Sequence, residues 1–456
     1  MNKFVKALKL GALLTLSACK GPGGEPAEKS ADTAATAPAA APAEAKKVDT
    51  TGPIKIGILH SLSGTMAISE TSLKDVALMT IESINKKGGV LGRKLEPVVV
   101  DPASDWPLFA EKARELIQQN VAVVFGCWTS VSRKSVLPVF ESLNGLLFYP
   151  VQYEGEESSF NVFYTGAAPN QQAIPAVEYL MGEQGGSAKK WVLLGTDYVY
   201  PRTTNKILRY FLKSKGVAET DIMEEYTPFS HTDYQTIVSN IKKFAAGKRT
   251  AVVSTINGDS NVPFYKELAN QGLKAKDIPV VAFSVGEEEL RGIDTKPLEG
   301  HLAAWNYFMS IDNPENAEFI KEWKAYAKEK ALPDAEKRVT NDPMEATYVG
   351  IKMWAQAATQ AGTVEINAVR QAISGQKFKA PSGFELTMDG PNHHLHKPVY
   401  IGEIKGDGQF NIVWKTEGPI RAEPWSKYVP DSKDKVADWT YPWLCGNCDK
   451  AKGTGF

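Results

Sequence analysis

From residue 54 onward the chain alternates between two rhythms. Apolar runs of strand length give way to stretches in which apolar residues recur every third or fourth position, the spacing of one helix face. Ile54-Lys-Ile-Gly-Ile-Leu-His60 reads as a buried strand. After Ser61-Leu-Ser-Gly-Thr65, residues Leu73, Val76, Ala77, Thr80, Ile81 and Ile84 form a single stripe, and Gly88-Gly89 stops that helix. A strand at Leu95 to Val100 follows, then a helix opened by Trp106-Pro107 with Phe109, Ala113, Leu116 and Ile117 inward. The strand Val121 to Phe125, a helix from about Ser130 to Leu143, and the strand Leu146 to Tyr149 complete this first series. The alternation then restarts with strands at Trp191–Gly195, Ile222–Tyr226, Ala251–Thr255 and Pro279–Phe283. Helices near 171–181, 203–213, 234–246 and 262–271 separate them. Strand–helix alternation of this kind specifies parallel sheets flanked by helices.

The pattern therefore predicts an α/β chain of two lobes, the first sheet ending near Tyr164 and the second near Gly300. Beyond 301 come long helical patterns at 314–331 and 343–361, then short strands around Phe384, Val399 and Phe410, with a hairpin turn at Gly406-Asp-Gly408. Helices followed by late strands suit segments that return to each lobe. We assign 53–165 plus about 305–375 to lobe 1, and 166–304 plus about 376–456 to lobe 2. Several chain crossings then make a hinge.

The first 50 residues follow neither rhythm. Lys3, Lys6 and Lys9 make a positive start, and a short apolar run from Leu8 to Leu16, broken by Lys9, Gly11 and Thr15, leads into Leu16-Ser-Ala-Cys19, which reads as a secretory signal over 1–18. That run is too short to span a bilayer, which needs roughly 20 apolar residues. Cys19 after Leu-Ser-Ala resembles a bacterial lipobox, whose cysteine carries lipid and becomes the first mature residue. Residues 19–52 are mostly Gly, Pro, Ala, Glu, Lys and Thr with almost no large apolar side chain, a composition expected to stay disordered as a tether. The expected location is periplasmic, lipid-anchored to a membrane outside the cytoplasm.

Composition narrows the partners. The 456 residues are 43% hydrophobic with a formal net charge of −1, which gives no reason to expect nucleic acid. Cys445-Gly-Asn-Cys448 could be a tight disulfide, a redox pair or half of a zinc site. With no second Cys pair and no thioredoxin-like context, a structural disulfide is the preferred reading and free thiols the next. Cys127 reads as a small buried hydrophobe.

No Gly-x-Ser-x-Gly elbow, phosphate-cradling loop or His-Glu-x-x-His occurs, so an enzyme is not expected, nor a metal or other cofactor. The histidines of Asn392-His-His-Leu-His396 lie in a Pro- and Gly-flanked stretch and read as a solvated turn. The candidate chemistry sits instead at strand ends, where open α/β sheets bind ligands. Thr129 and Ser130 open a helix whose hydroxyls and free N–H groups could take a carbonyl oxygen. Trp128, Tyr149, Gln152 and Tyr153 gather at the same edge. The second lobe offers Tyr198 and Tyr200, then Asn257 and Asp259, then Ser284 with Glu287 or Glu288. Two such jaws would close over a small polar molecule by hinge motion.

From Ile54 to about Trp425 the chain resembles the type I periplasmic solute-binding proteins, in the branch of amide sensors and urea-binding transport proteins. The similarity is carried by Phe125-Gly-Cys-Trp-Thr-Ser-Val-Ser-Arg-Lys, Tyr149-Pro-Val-Gln-Tyr-Glu-Gly, Ala168-Pro-Asn-Gln-Gln, Asp197-Tyr-Val-Tyr-Pro-Arg, Thr255-Ile-Asn-Gly-Asp-Ser-Asn and Phe283-Ser-Val-Gly-Glu-Glu-Glu. It implies a lipoprotein that delivers urea to an ABC-type permease, with short-chain amides and then branched-chain amino acids as alternatives. It also places the amide-contacting serine on Ser130, the aromatic wall on Trp128 and Tyr149, and the second-lobe tyrosines on Tyr198 and Tyr200. At Val151-Gln152 the chain departs from the amide sensors, which carry Thr-Pro there.

Overall fold

A computed structural model of the protein describes residues 51–430 and 432. Cys19, Cys445 and Cys448, the leader and nearly all of the tether lie outside the described residues. Strands β1 (Ile54–Leu59), β2 (Leu95–Val100), β3 (Val123–Gly126), β4 (Leu147–Tyr149) and β5 (Val162–Tyr164) form a wholly parallel sheet in the order β2-β1-β3-β4-β5. Helices α1 (Ala67–Lys86), α2 (Trp106–Gln118) and α3 (Ser130–Ser142) connect its first four strands. Each helix follows from its sequence. The stripe Leu73, Val76, Ala77, Thr80, Ile81 and Ile84 of α1 is buried throughout. Helix α2 is capped by Asp105, whose carboxylate accepts the Leu108 N–H at 2.9 Å, and Pro107 fills a first-turn position that needs no donor.

The second sheet is built from β6 (Lys190–Thr196), β7 (Ile222–Thr227), β8 (Thr250–Thr255), β9 (Val280–Ala282) and β10 (Leu302–Trp305), all parallel. Helices α4 (Ala173–Met181), α5 (Val199–Ser214), α6 (Gln235–Phe244), α7 (Asn261–Asn270) and the single turn α8 (Glu287–Leu290) belong to this lobe. The chain then returns to lobe 1 as α9 (Pro314–Glu329), α10 (Asp342–Ala361) and α11 (Ile366–Ile373). Phe319 and Trp323 of α9 join one core of that lobe, and Val349, Trp354 and Val369 join the other. A small hairpin of β11 (Lys377–Lys379) and β12 (Glu385–Thr387) follows. The antiparallel pair β13 (Tyr400–Ile404) and β14 (Phe410–Lys415) then extends the second sheet, giving the order β14-β13-β10-β9-β8-β6-β7.

Two expectations need correction. The chain from 376 does not belong wholly to lobe 2, because Ala380, Leu386, Met388 and Leu395 pack in the core of lobe 1. Their apolar side chains are too few and too short in sequence to reveal which lobe they complete. The stretch 392–396 is no solvated turn: His393 and His394 are buried, and His394 stacks on Tyr164 at 4.2 Å with a 6° interplanar angle. Burial holds the imidazole of His394 down to about 3 and that of His393 to about 4.

Buried side chains stitch the crossings between lobes. Asn306, just after β10, donates through its amide to Gln171 O at 2.8 Å and Pro398 O at 2.7 Å, tying three passages of the chain at one point. Its backbone N–H donates to Asp342 at the start of α10, 2.9 Å away. Lys397, also buried, donates to Thr165 O at 3.0 Å. These bonds gather the passages where a rotation between lobes would have to pivot.

Candidate functional site

The carboxyl ends of β1, β3, β4 and β5 face those of β6, β8 and β9 across the interlobe cleft, and bonds between side chains span it. Trp128 Nε1 donates to Asn257 Oδ1 at 3.2 Å, and Gln152 Nε2 donates to Ser284 Oγ at 2.8 Å. At the exposed rim Thr65 Oγ1 donates to Asp259 at 2.6 Å, and the buried Ser69 Oγ donates to Glu289 at 2.7 Å. The two jaws read from the sequence thus meet directly.

Local backbone chemistry sets the first jaw. Strand β3 ends in Gly126 because a Cβ there would lie 2.3 Å from Leu59 O. Cys127 then takes a left-handed φ of 66°, an unfavourable conformation for a residue with a side chain, held by its N–H bond to Leu59 O at 2.8 Å. That turn delivers Trp128, Thr129 and Ser130 into the cleft. Thr129 is the cap of α3, its hydroxyl accepting the Ser132 N–H at 3.1 Å. Ser130 is thereby free for other work. Gln152 depends on Gly166 in the neighbouring passage, where a Cβ would fall 2.0 Å from Val151 O.

Behind Ser130 lies a buried ionic layer that the sequence reading did not foresee. Arg133, on the next turn of α3, donates to Glu154 at 2.9 Å, to Glu157 at 2.8 Å and to Ser130 Oγ at 3.1 Å. Its guanidinium also lies 4.7 Å from the ring centre of Tyr149 and 4.5 Å from that of Tyr153. Lys134 pairs with Glu157, and Tyr164 donates to the same carboxylate at 2.7 Å. Burial pushes Glu157 up, but Arg133 and then Lys134 hold it well below the usual carboxylate range. The i, i+3 spacing of Ser130 and Arg133, with two acids downstream, was the available signal.

This layer fixes the polarity of Ser130. Its hydroxyl donates to the Glu154 carboxylate, which can only accept, and takes the Arg133 N–H. What remains is a lone pair. The Ser130 hydroxyl can therefore accept an N–H from a ligand but has no proton left for a carbonyl oxygen, a role that remains open to the backbone N–H groups at the start of α3.

The remaining predicted residues divide clearly. Tyr149 donates to Trp128 O and so holds the Trp128 turn. Tyr153 stacks on Tyr164 at 5.1 Å and bonds to His394, placing its hydroxyl in the wall. Tyr198 and Tyr200 pack 6.1 Å apart beside Val131 and Val199. The Tyr200 hydroxyl and Gln152 Oε1 are buried without hydrogen-bond partners among the described residues. Asp259 lies at the exposed rim with Thr65 and Ser230, and Glu288 pairs with Arg291 at 2.7 Å and Arg338 at 3.2 Å. These two carboxylates thus serve the closure and a salt bridge. Glu287 accepts the Met309 N–H at 2.6 Å, and burial raises it to about 8. Sequence reasoning also passed over His60 and Glu70, buried side by side at the end of β1 and the start of α1. Cys127 is a buried free thiol, its pKa raised by burial, which removes it as a nucleophile. Among the described residues no cluster of His, Cys, Asp and Glu could hold a metal ion, and no helix is long and apolar enough to cross a membrane.

Two parallel α/β lobes, a multi-passage hinge and facing strand ends define a two-lobed solute-binding protein. Residues 54–431 match the family described as the periplasmic binding protein domain, and the chain belongs to that family of binding proteins, not enzymes. Among curated relatives, the leucine-, isoleucine-, valine-, threonine- and alanine-binding protein of Pseudomonas aeruginosa is 24% identical over 77% of this chain and 92% of its own length. A 149-residue stretch is 33% identical to the limonene hydroxylase of Geobacillus stearothermophilus, but it covers 32% of this chain and only 26% of that protein. Among solved structures, the solute-binding protein of an ABC transporter from Rhodopseudomonas palustris, in complex with p-hydroxybenzoic acid, superposes with a TM-score of 0.69. It is 20% identical and the match covers 82% of this chain and 99% of that one, a likeness of fold.

Proposed function

We propose that this protein captures urea between its lobes, outside the cytoplasm, and delivers it to the permease of an ABC transporter. The observation that carries the reading is the polarity of the first jaw. Its cations, Arg133 and Lys134, are engaged by Glu154 and Glu157, and the Ser130 hydroxyl presents only a lone pair. Gln152 beside it and Tyr200, Asn257 and Ser284 opposite are uncharged. A neutral ligand rich in N–H groups suits such a cleft, and urea carries four N–H bonds around one carbonyl. A carboxylate ligand, such as an amino acid or a hydroxybenzoate, would be buried there without a free counter-charge, which is costly. Buried donors and acceptors left unpaired cost about 1–3 kcal/mol each, so a closed cleft of this kind also discriminates.

Short-chain amides are the second reading, favoured by the same lone pair on Ser130, since acetamide and formamide also offer an N–H. Branched-chain amino acids, named for the Pseudomonas aeruginosa relative, come third. Cys19 would hold the protein at the membrane surface through lipid, with the following residues as tether; lipid labelling abolished by Cys19→Ser tests that anchor. The ligand assignment is tested by the thermal unfolding midpoint of the purified protein against urea, acetamide, formamide, leucine and 4-hydroxybenzoate. A midpoint raised most by low concentrations of urea supports the reading. A midpoint raised by leucine or 4-hydroxybenzoate and unmoved by urea overturns it.

A further inference from the structure

His60 follows β1, the strand that lies between β2 and β3, and Glu70 sits in the first turn of α1. Both side chains are fully buried. The Glu70 Oε2 atom accepts the Ser61 N–H at 2.9 Å and lies 3.1 Å from His60 Nδ1. With its Nδ1 proton directed at the carboxylate, the imidazole keeps a lone pair on Nε2. Nε2 of His60 and Oε1 of Glu70 are both buried, and neither has a hydrogen-bond partner among the described residues. Burial raises the Glu70 carboxyl while His60 and the Ser61 N–H pull it down; with the carboxyl ionised, two unpaired acceptors in one buried pair call for a donor, since native proteins rarely leave such groups unmet.

The pair also lies against the cleft. The residue before Glu70 is Ser69, which reaches Glu289 of the second lobe at 2.7 Å. The end of β1 is bonded to Cys127, one residue before Trp128, and the charge of Glu70 acts on the Cys127 thiol. We propose that His60 Nε2 and Glu70 Oε1 form a second N–H-accepting subsite of the cleft, which takes an amino group of the ligand and separates urea from primary amides. The proposal rests on the urea reading above and deepens it. Urea carries two amino groups, so Ser130 and this pair can each receive one. Acetamide carries a methyl group in place of the second and would leave both atoms of the pair unpaired. A carboxylate there would face Glu70 directly.

Calorimetric titration of the purified wild-type protein, Glu70→Gln and His60→Phe with urea and with acetamide tests this. The expected result is urea affinity lowered about tenfold or more in either variant, with acetamide affinity changed less, so that the urea-to-acetamide ratio falls. An unchanged ratio in folded variants of a urea-binding protein overturns the subsite alone. Absence of urea binding by the wild type overturns the functional reading and the subsite with it. Should either variant fail to fold, a crystal structure of the wild-type protein with urea decides. A urea nitrogen within hydrogen-bond distance of His60 Nε2 or Glu70 Oε1 supports the subsite; an ordered water on both atoms with urea elsewhere overturns it.

Discussion

Replacing Arg133 with methionine separates a structural cation from a ligand-binding one. The side chain is fully buried and joins Glu154, Glu157 and Ser130 while covering the rings of Tyr149 and Tyr153. Methionine keeps much of the volume but leaves Glu154 buried with no cation and Glu157 with Lys134 alone. Removing one partner of a buried ion pair costs about 3–5 kcal/mol. Four kcal/mol would lower the folding equilibrium constant by nearly a thousandfold. Chemical denaturation of both proteins across pH reads this out. In the wild type, the Glu157 pKa is depressed below its unfolded value, so Glu157 adds stability above about pH 4.3 that is lost as pH falls toward its folded value. In the variant burial prevails, the folded pKa rises, and the charged group opposes folding at neutral pH. The difference between the two proteins should therefore be largest near pH 7 and shrink toward pH 4. A penalty under 1 kcal/mol, or one independent of pH, would refute the assignment, and a stable variant that lost only ligand binding would make Arg133 a ligand group.

Ser130→Ala and Tyr149→Phe should each weaken urea binding by roughly tenfold without unfolding the protein, the first by deleting the accepting lone pair and the second by loosening the Trp128 turn; unchanged calorimetric affinity in both would sink this site. Gly166→Ala should destabilise the chain and displace Gln152, because the new Cβ would meet Val151 O at 2.0 Å, and a wild-type denaturation midpoint with wild-type affinity would contradict that. His394 is held neutral in the fold at a pKa of about 3, so the unfolded chain takes its proton first. Stability should fall as pH drops from about 6.5 toward 3, and His394→Phe should flatten part of that slope in pH-dependent unfolding curves. An unchanged slope would place the acid sensitivity elsewhere.

The parallel sheets were legible because their strands are continuous apolar runs separated by amphipathic stripes, and both signals are local. The strand-end residues Trp128, Ser130, Gln152, Asn257 and Ser284 could be placed for the same reason, since a strand end fixes where its next residues point. What escaped were properties created by tertiary partners. Arg133 reads as an ordinary helix-surface charge until Glu154 and Glu157, two passages away, are brought beneath it. The histidines at 393–394 read as solvated until Tyr153 and Tyr164 cover His394 and Phe163 covers His393. Glu288 looked like a ligand acceptor because nothing in its neighbourhood of sequence announces Arg338, fifty residues on. His60 and Glu70 carry no motif at all, and only burial makes their unpaired atoms conspicuous.

Isothermal titration of the purified protein with urea reads out whether the cleft takes a small neutral molecule that gives N–H bonds to the protein. Saturable binding of one urea per chain, tighter than acetamide and undisturbed by excess leucine, is expected. Binding of leucine or 4-hydroxybenzoate with no heat from urea would contradict it.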